Sequence, residues 1–392
     1  MTTQQLMERF MDKHGESQHK VRIFNAPGRV NLIGEHLDYN GGYVLPAALE
    51  FGTTLIIRPR DDNKVSFSST NIPYELTISL DEDYGYKIDQ WTDYPVGVIT
   101  ELNKIGCGLS SGYDLLYHGD IPNGAGLSSS ASIEVVTAYA FLKMEGKETD
   151  TVEIAKLSQR VENLFVGVNS GIMDQFAVAN GKQDHAILLM CDTLEYELVP
   201  FRTGAYKIVI SNTNKRRGLV DSKYNERRSE CDRALEILQK ELPALSYLAQ
   251  LNPDQFATLR DSIRDETVRR RAQHVVEENQ RVLDSVKALK EGNLEVFGQY
   301  MNQSHDSLRY LYEVTGDELD ALVEEAQRIP GTLGSRMTGA GFGGCTVSLV
   351  HEDAVERFIA EVGQQYEART GLKADFYVCG VGQGVHEVKE GE

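Results

Sequence analysis

Arg29, Glu35, His36 and Asp38 crowd one short stretch, GRVNLIGEHLDYNGG. Carboxylates and an imidazole this close can grip neighbouring hydroxyls, and such a site rejects an analogue that lacks one of them. The same residues also suit a polar hairpin rim, with Asp38 and Asn40 as turn formers. A second stretch, GAGLSSSAS from Gly124 to Ser132, sets glycines and small hydroxyls before an apolar, helix-like segment. Glycine lets a ligand approach the backbone closely. A helix start offers unpaired N–H donors and partial positive charge, which suits a phosphate. Hydroxyls in the first turn can cap the helix or reach a metal on the phosphates. The stretch is no Walker A loop, since no lysine follows the serines, and it lacks the third glycine of a dinucleotide fingerprint. A third stretch, Thr338 to Cys345 (TGAGFGGC), has more glycine than a plain connector requires and would bring a second backbone close to a ligand. Two carboxylates stand between these stretches. Glu162 lies beside an apolar face set by Leu157, Val161, Leu164 and Phe165, and either acid could be an ordinary solvent-facing one. Asp174 lies among Ile172, Met173 and Phe176, which would bury it and so call for a partner.

These residues need elements to hold them. Residues 2–14 read as a short amphipathic helix. Val21 to Phe24 and Val30 to Ile33 read as strands, with Asn40-Gly41 as a hairpin turn. TTLIIRPR, KVSFSS, SGYDLLYHGDIP, HAILLMCD and YKIVISNT follow strand patterns, while Tyr94 to Lys104, Ile133 to Lys143 and Val152 to Val166 follow helical ones. Residues 221–325 are mainly helical in period. A glycine-rich segment, a strand, a helix over 353–369 and the strand DFYVCGVG close the chain. Strands and helices mix without a regular βαβ repeat, so the fold class is α+β. The length of 392 residues suggests two domains, 1–200 and 201–392, with a boundary near 195–205.

The net charge of −19 argues against nucleic-acid binding, which usually needs a basic face. No run is long enough for a transmembrane helix, and the N-terminus lacks a signal peptide's apolar core. Five scattered cysteines without a CxxC indicate neither a zinc site nor a disulfide framework, so a reducing cytoplasm is expected, with no membrane partner.

Together the stretches carry a resemblance. PGRVNLIGEHLDYNGG resembles the signature of galactokinases. PNGAGLSSSAS and GSRMTGAGFGGC resemble the second and third motifs of the wider GHMP kinases, named after their galacto-, homoserine, mevalonate and phosphomevalonate members. GIMDQ and DSKYNERRSEC also resemble galactokinase segments. The resemblance implies a two-domain α+β fold with the active site in the interdomain cleft. It implies ATP, Mg2+ and galactose as ligands, with the γ-phosphate passing to the C1 hydroxyl. By the same resemblance, Gly124, Ala125, Gly126, Leu127, Ser128, Ser129 and Ser130 would hold the nucleotide phosphates, and Ser130 and Glu162 the metal. Glu35, His36, Leu37, Asp38 and Tyr224 would hold the sugar. Asp174 would be the catalytic carboxylate and Arg29 the transition-state stabiliser, with Ser69 and Trp91 touching the nucleotide. A kinase for a related sugar such as N-acetylgalactosamine or arabinose is the nearest alternative. A galactose sensor without turnover is another, but such relatives lack the Ser-Ala pair that stands here at Ser130-Ala131. A monomer is the favoured oligomeric state.

Overall fold

A computed structural model describes residues 1–82, 84–122, 126–168, 170–215 and 220–389, with the side chains of 220–222 left aside. The strand Arg22–Asn31 runs antiparallel to Pro46–Pro59, which runs antiparallel to Tyr113–Gly119. Lys64–Ser69 joins Tyr113–Gly119 in parallel, and Leu76–Ser79 forms the far edge. A parallel pair needs a crossover, and the helix Asp93–Lys104 lies within it. At the near edge, His386–Glu387 pairs with Arg22–Asn31, so the last strand returns from the second half of the chain to the first sheet. Helix Ser129–Met144 packs against the first two of these strands. Its buried face of Ala131, Val135, Val136, Ala138 and Phe141 supplies the hydrophobic drive.

A second sheet has the order Thr332–Thr338, Cys345–His351, Tyr206–Asn212, Asp375–Cys379, all antiparallel. Helices Asp317–Arg328 and Val355–Thr370 cover it through Leu322, Ala326, Phe358, Val362 and Tyr366. A third, three-stranded sheet is built from Tyr43–Val44, His185–Met190 and Tyr196–Pro200. The main core runs without a break from Phe24 and Leu55 in the first half to Val347 and Leu349 in the second. Among the described residues, no helix is long and apolar enough to cross a membrane.

Three local expectations change. Val21 to Phe24 and Val30 to Ile33 are not separate strands; one strand, Arg22–Asn31, takes in most of the first and the first half of the second. The return at Asn40-Gly41 is not a tight hairpin turn. Strand pairing ends at Asn31↔Pro46, and a 3-10 turn over Asp38–Asn40 ends in the left-handed Gly41. Glu35, His36 and Asp38 thus ride on a wide loop, with Arg29 near the end of the strand before it. The expected helix over 152–166 is also divided. An α-helix, Thr151–Arg160, passes into a π-helical turn, Val161–Val166, that carries Glu162. π-turns often mark functional sites.

Candidate active site

A half-open cavity of about 570 Å³ lies where the wide loop, the π-turn and the third glycine stretch meet. Arg29, Glu35, His36, Asp38, Glu162, Asp174 and Tyr224 all line it, as do Gly339 and Ala340. Residues far apart in the chain are therefore one surface.

Arg29 and Asp174 form its centre. The Arg29 Nε donates to Asp174 Oδ1 at 2.8 Å and Nη2 donates to Oδ2 at 2.7 Å. Nη1 donates to the Gly126 carbonyl at 2.8 Å. A two-point ion pair of this kind fixes the carboxylate plane as well as its position. The backbone explains why Arg29 arrives there. A register shift between Pro27 and Arg29 re-aims the strand. The N–H of Arg29 then donates to the Leu127 carbonyl at 3.1 Å. Gly28 permits that approach, since a Cβ there would sit 2.8 Å from the same carbonyl oxygen. Ser128 holds a left-handed φ of 64° and starts the helix Ser129–Met144. Its hydroxyl makes no capping bond, as an N-cap serine would, and donates to Asp174 instead.

Beside this pair stands Glu162. Its Oε1 accepts from the Ser130 hydroxyl at 2.9 Å and its Oε2 from the Ser170 hydroxyl at 2.9 Å. Burial pushes its carboxyl pKa up, and the charge of Asp174 adds to that. A cation bound here would relieve both costs. Ser130 and Glu162 present oxygen donors side by side, which fits Mg2+; this ion takes few protein ligands and completes its shell from phosphates and water. Among the described residues, no group of three or more His, Cys, Asp or Glu could hold a metal without such help.

The side of the cavity formed by the wide loop is built differently. Glu35 is 3% exposed. Its Oε1 accepts from Thr338 Oγ1 at 3.1 Å and from the N–H of Gly339 at 3.0 Å. Its Oε2 accepts from Asn31 Nδ2 at 2.9 Å and from Arg336 Nη2. A carboxylate has about four lone-pair sites, so protein donors already match them. Glu35 therefore clamps the wide loop to the third glycine stretch. Among the described residues, Asp38 has no such set of side-chain partners. Burial pushes its pKa up to about 6 despite a backbone hydrogen bond from Tyr39. Gly171 packs against it closely; a Cβ there would collide with Asp38 Oδ2. The His36 ring is neutral, its pKa pushed down to about 3 by burial and then by His274. Its Nδ1 lies 2.9 Å from the Tyr39 hydroxyl, and its ring packs on Tyr224 at 5.6 Å between centroids.

The remaining expected residues fall elsewhere. Leu37 is fully buried and serves the turn through its carbonyl, which accepts from the N–H groups of Asn40 and Gly42. Leu127 is buried, while Ser129 is exposed. Gly124 and Ala125 lie outside the described residues. Ser69 and Trp91 do not line this cavity. They meet through Tyr117, which pairs with Ser69 and has its ring 5.4 Å from that of Trp91. Sequence reasoning missed Ser170, Arg336, Thr338 and Gln175. All four lie in or beside the quoted stretches, but nothing local marked them as partners of Glu35 and Glu162.

Residues 8–59 match the family model described as the galactokinase galactose-binding signature. Residues 93–182 match the GHMP kinases N terminal domain and 285–368 the GHMP kinases C terminal. A galactokinase of Halalkalibacterium halodurans is 52% identical over 95% of this chain and 94% of its own length. A galactokinase of Clostridium tetani is 50% identical over 99% of this chain and 98% of its own. The structure of Lactococcus lactis galactokinase complexed with galactose superposes with a TM-score of 0.93 at 45% identity, covering 98% of this chain and 99% of that one. Methanococcus jannaschii mevalonate kinase, at 20% identity, shares the fold with a TM-score of 0.70 over 93% of this chain and 100% of that one. The expected fold class, two-domain α+β of the GHMP type, is thus met. The chain belongs to the galactokinase family of the GHMP kinases, and is an ATP-dependent sugar kinase.

Proposed function

We propose that this cavity seats galactose with its C1 hydroxyl at Asp174 and the γ-phosphate of ATP beside Ser130 and Glu162. The observation that carries the reading is the two-point Arg29–Asp174 pair, which lines the cavity with the wide loop and Glu162 and is tied to the serine-led helix start through the Gly126 carbonyl and the Ser128 hydroxyl. In the step, the C1 oxygen forms a bond to the γ-phosphorus. The bond from that phosphorus to the bridging oxygen breaks, and ADP leaves with the electron pair. The hydroxyl proton passes to a carboxylate oxygen of Asp174. Arg29 keeps that carboxylate turned toward the sugar, and two of its five N–H groups remain for phosphoryl oxygens. Ser130 and Glu162 would hold Mg2+, which neutralises phosphate charge when bound. Asp38, His36 and Tyr224 fit the remaining sugar hydroxyls, with Glu35 behind them as the clamp.

To test the function, purified protein with ATP and Mg2+ is offered galactose, N-acetylgalactosamine, arabinose and glucose. ADP release and the phosphorylated product are followed. Galactose should give the highest turnover. A protein that binds galactose and ATP without releasing ADP is a sensor, and the proposal then fails.

Two predictions belong here. Ser130→Ala and Glu162→Gln should raise the Mg2+ needed for half-maximal turnover, while galactose affinity measured by calorimetry stays near wild type. Unchanged metal dependence in both variants removes them from the metal site. For Asp38, the raised pKa has a definite sign. The folded free protein holds a proton between about 3.8 and about 6 that the unfolded chain has released. Asp38 thus favours folding below this window, and that contribution is lost as pH rises through about 6. Sugar binding runs the other way, because hydroxyls donate best to the ionised form. Galactose affinity should fall as pH drops below about 6, and binding at that pH should release protons. Asp38→Ala should cost roughly 1–3 kcal/mol of galactose affinity and remove the proton release. Calorimetry in buffers of different ionisation enthalpy reads both; a pH-independent affinity contradicts the assignment.

A further inference from the structure

Behind Glu162 lies a buried polar group that the transfer step does not use. Gln175 and Glu134 are both fully buried. The Gln175 Nε2 donates to Glu162 Oε2 and lies 3.4 Å from Glu134 Oε2. A primary amide has two N–H donors on one nitrogen, so a single side chain spans the two carboxyl groups. The connectivity closes on itself. Ser130 and Glu134 stand four residues apart on the helix Ser129–Met144, hence one turn apart on one face. Ser130 donates to the front oxygen of Glu162, Oε1. Glu134, one turn on, meets Gln175, and Gln175 grips the rear oxygen of Glu162, Oε2. Gln175 also follows Asp174 directly on the helix Met173–Asn180. Adjacent residues of that helix thus serve Arg29 and Glu162.

From this geometry we propose that Gln175, anchored by Glu134, is a positioning residue that fixes the Glu162 carboxylate so that Oε1 faces the Ser130 hydroxyl and the cation of the nucleotide. The inference rests on the reading that Ser130 and Glu162 hold that cation. A π-turn leaves the backbone under Glu162 without regular α-helical bonding, so side-chain bonds have more to do in orienting it. Groups that orient metal-holding side chains are typically worth ~10–100-fold in metal affinity. Gln175 acts only through Glu162 and touches no substrate.

The test compares Gln175→Met, Gln175→Asn and Glu162→Gln with wild type. Met keeps the length and removes both donors. Asn keeps the amide but shortens its reach, and it carries the test if the Met variant does not fold. Mn2+ is titrated into the protein with ATP and followed by electron paramagnetic resonance, and galactose affinity is measured by calorimetry. Turnover is recorded against Mg2+ concentration. The proposal expects Mn2+ affinity to fall ~10-fold or more in the Gln175 variants, with galactose affinity within about twofold of wild type. High Mg2+ should restore much of the turnover, which a general loss of structure would not allow. If Glu162→Gln weakens Mn2+ binding and neither folded Gln175 variant does, the positioning role is overturned. If Glu162→Gln itself binds Mn2+ normally, the metal reading has failed first, and the inference falls with it.

Discussion

Asp174→Asn should lose most of the transfer step while still binding both substrates. The side chain keeps its shape but no longer accepts a proton usefully. A positioned base is typically worth ~10²–10⁴-fold in rate. The geometry adds a second loss. Oδ1 accepts from Arg29 Nε, and Oδ2 accepts from Arg29 Nη2 and the Ser128 hydroxyl. Whichever way the amide turns, its NH2 group faces a donor. Arg29 and the new side chain must then move apart, and a misplacement of about 1 Å can cost a further ~10²-fold. Single-turnover rates by rapid quench should therefore drop by at least ~10²-fold. Galactose and ATP affinities should stay within a few fold, because Asp38, Glu35 and the serine-led helix start are untouched. Near-normal transfer would remove Asp174 from the chemistry.

Arg336→Met should produce the largest loss of stability among the substitutions considered. Arg336 is fully buried. Its Nη1 donates to the carbonyls of Asn31 at 3.2 Å and Leu32 at 3.1 Å, and its Nη2 pairs with Glu35. Removing one partner of a buried pair leaves an uncompensated charge and typically costs ~3–5 kcal/mol. Burial already pushes the Glu35 carboxyl pKa upward against the pull of Arg336. Without the guanidinium it would take up a proton or draw in water. The whole stability of a protein is typically ~5–15 kcal/mol, so the drop should be plain in urea unfolding. KM for galactose should rise as well, since the lost bonds tie the wide loop to the strand Thr332–Thr338. Glu35→Leu combined with Arg336→Met should recover part of the stability, because an apolar pair of similar volume avoids the buried charge. A loss below about 1 kcal/mol, of the size usual for exposed ion pairs, would show that the clamp does not hold the two stretches together.

What could be read in the sequence divides along a physical line. Local periodicity marked the helix Asp93–Lys104 and the strands Lys64–Ser69 and Tyr206–Asn212, because alternation or a 3.6 period is set by one buried face. The glycine stretches announced close backbone approach, and Gly28 against the Leu127 carbonyl shows such a place. Asp174 among apolar neighbours called for a partner, yet nothing local named Arg29, 145 positions away. Long-range pairing depends on topology, which periodicity does not encode. The same holds for Glu35. As a residue of a polar loop it reads as a ligand, whereas in the fold four donors hold it, two of them from Thr338 and Gly339. Asn40-Gly41 misled for the opposite reason. The dipeptide favours a tight turn, but strand pairing ends at Asn31 and Pro46 and leaves a wide loop for the site. The strand His386–Glu387 is too short to show alternation, so its return to the first sheet left no local trace.

The most direct test of the account is a crystal structure of this protein with galactose and a non-hydrolysable ATP analogue in the cavity. The account predicts the C1 hydroxyl within about 2.6–3.2 Å of an Asp174 oxygen, the reach of a proton acceptor, with the γ-phosphate in line behind it and Arg29 still on Asp174. A sugar bound with another hydroxyl at Asp174, or with its C1 hydroxyl turned away from the γ-phosphate, would contradict it.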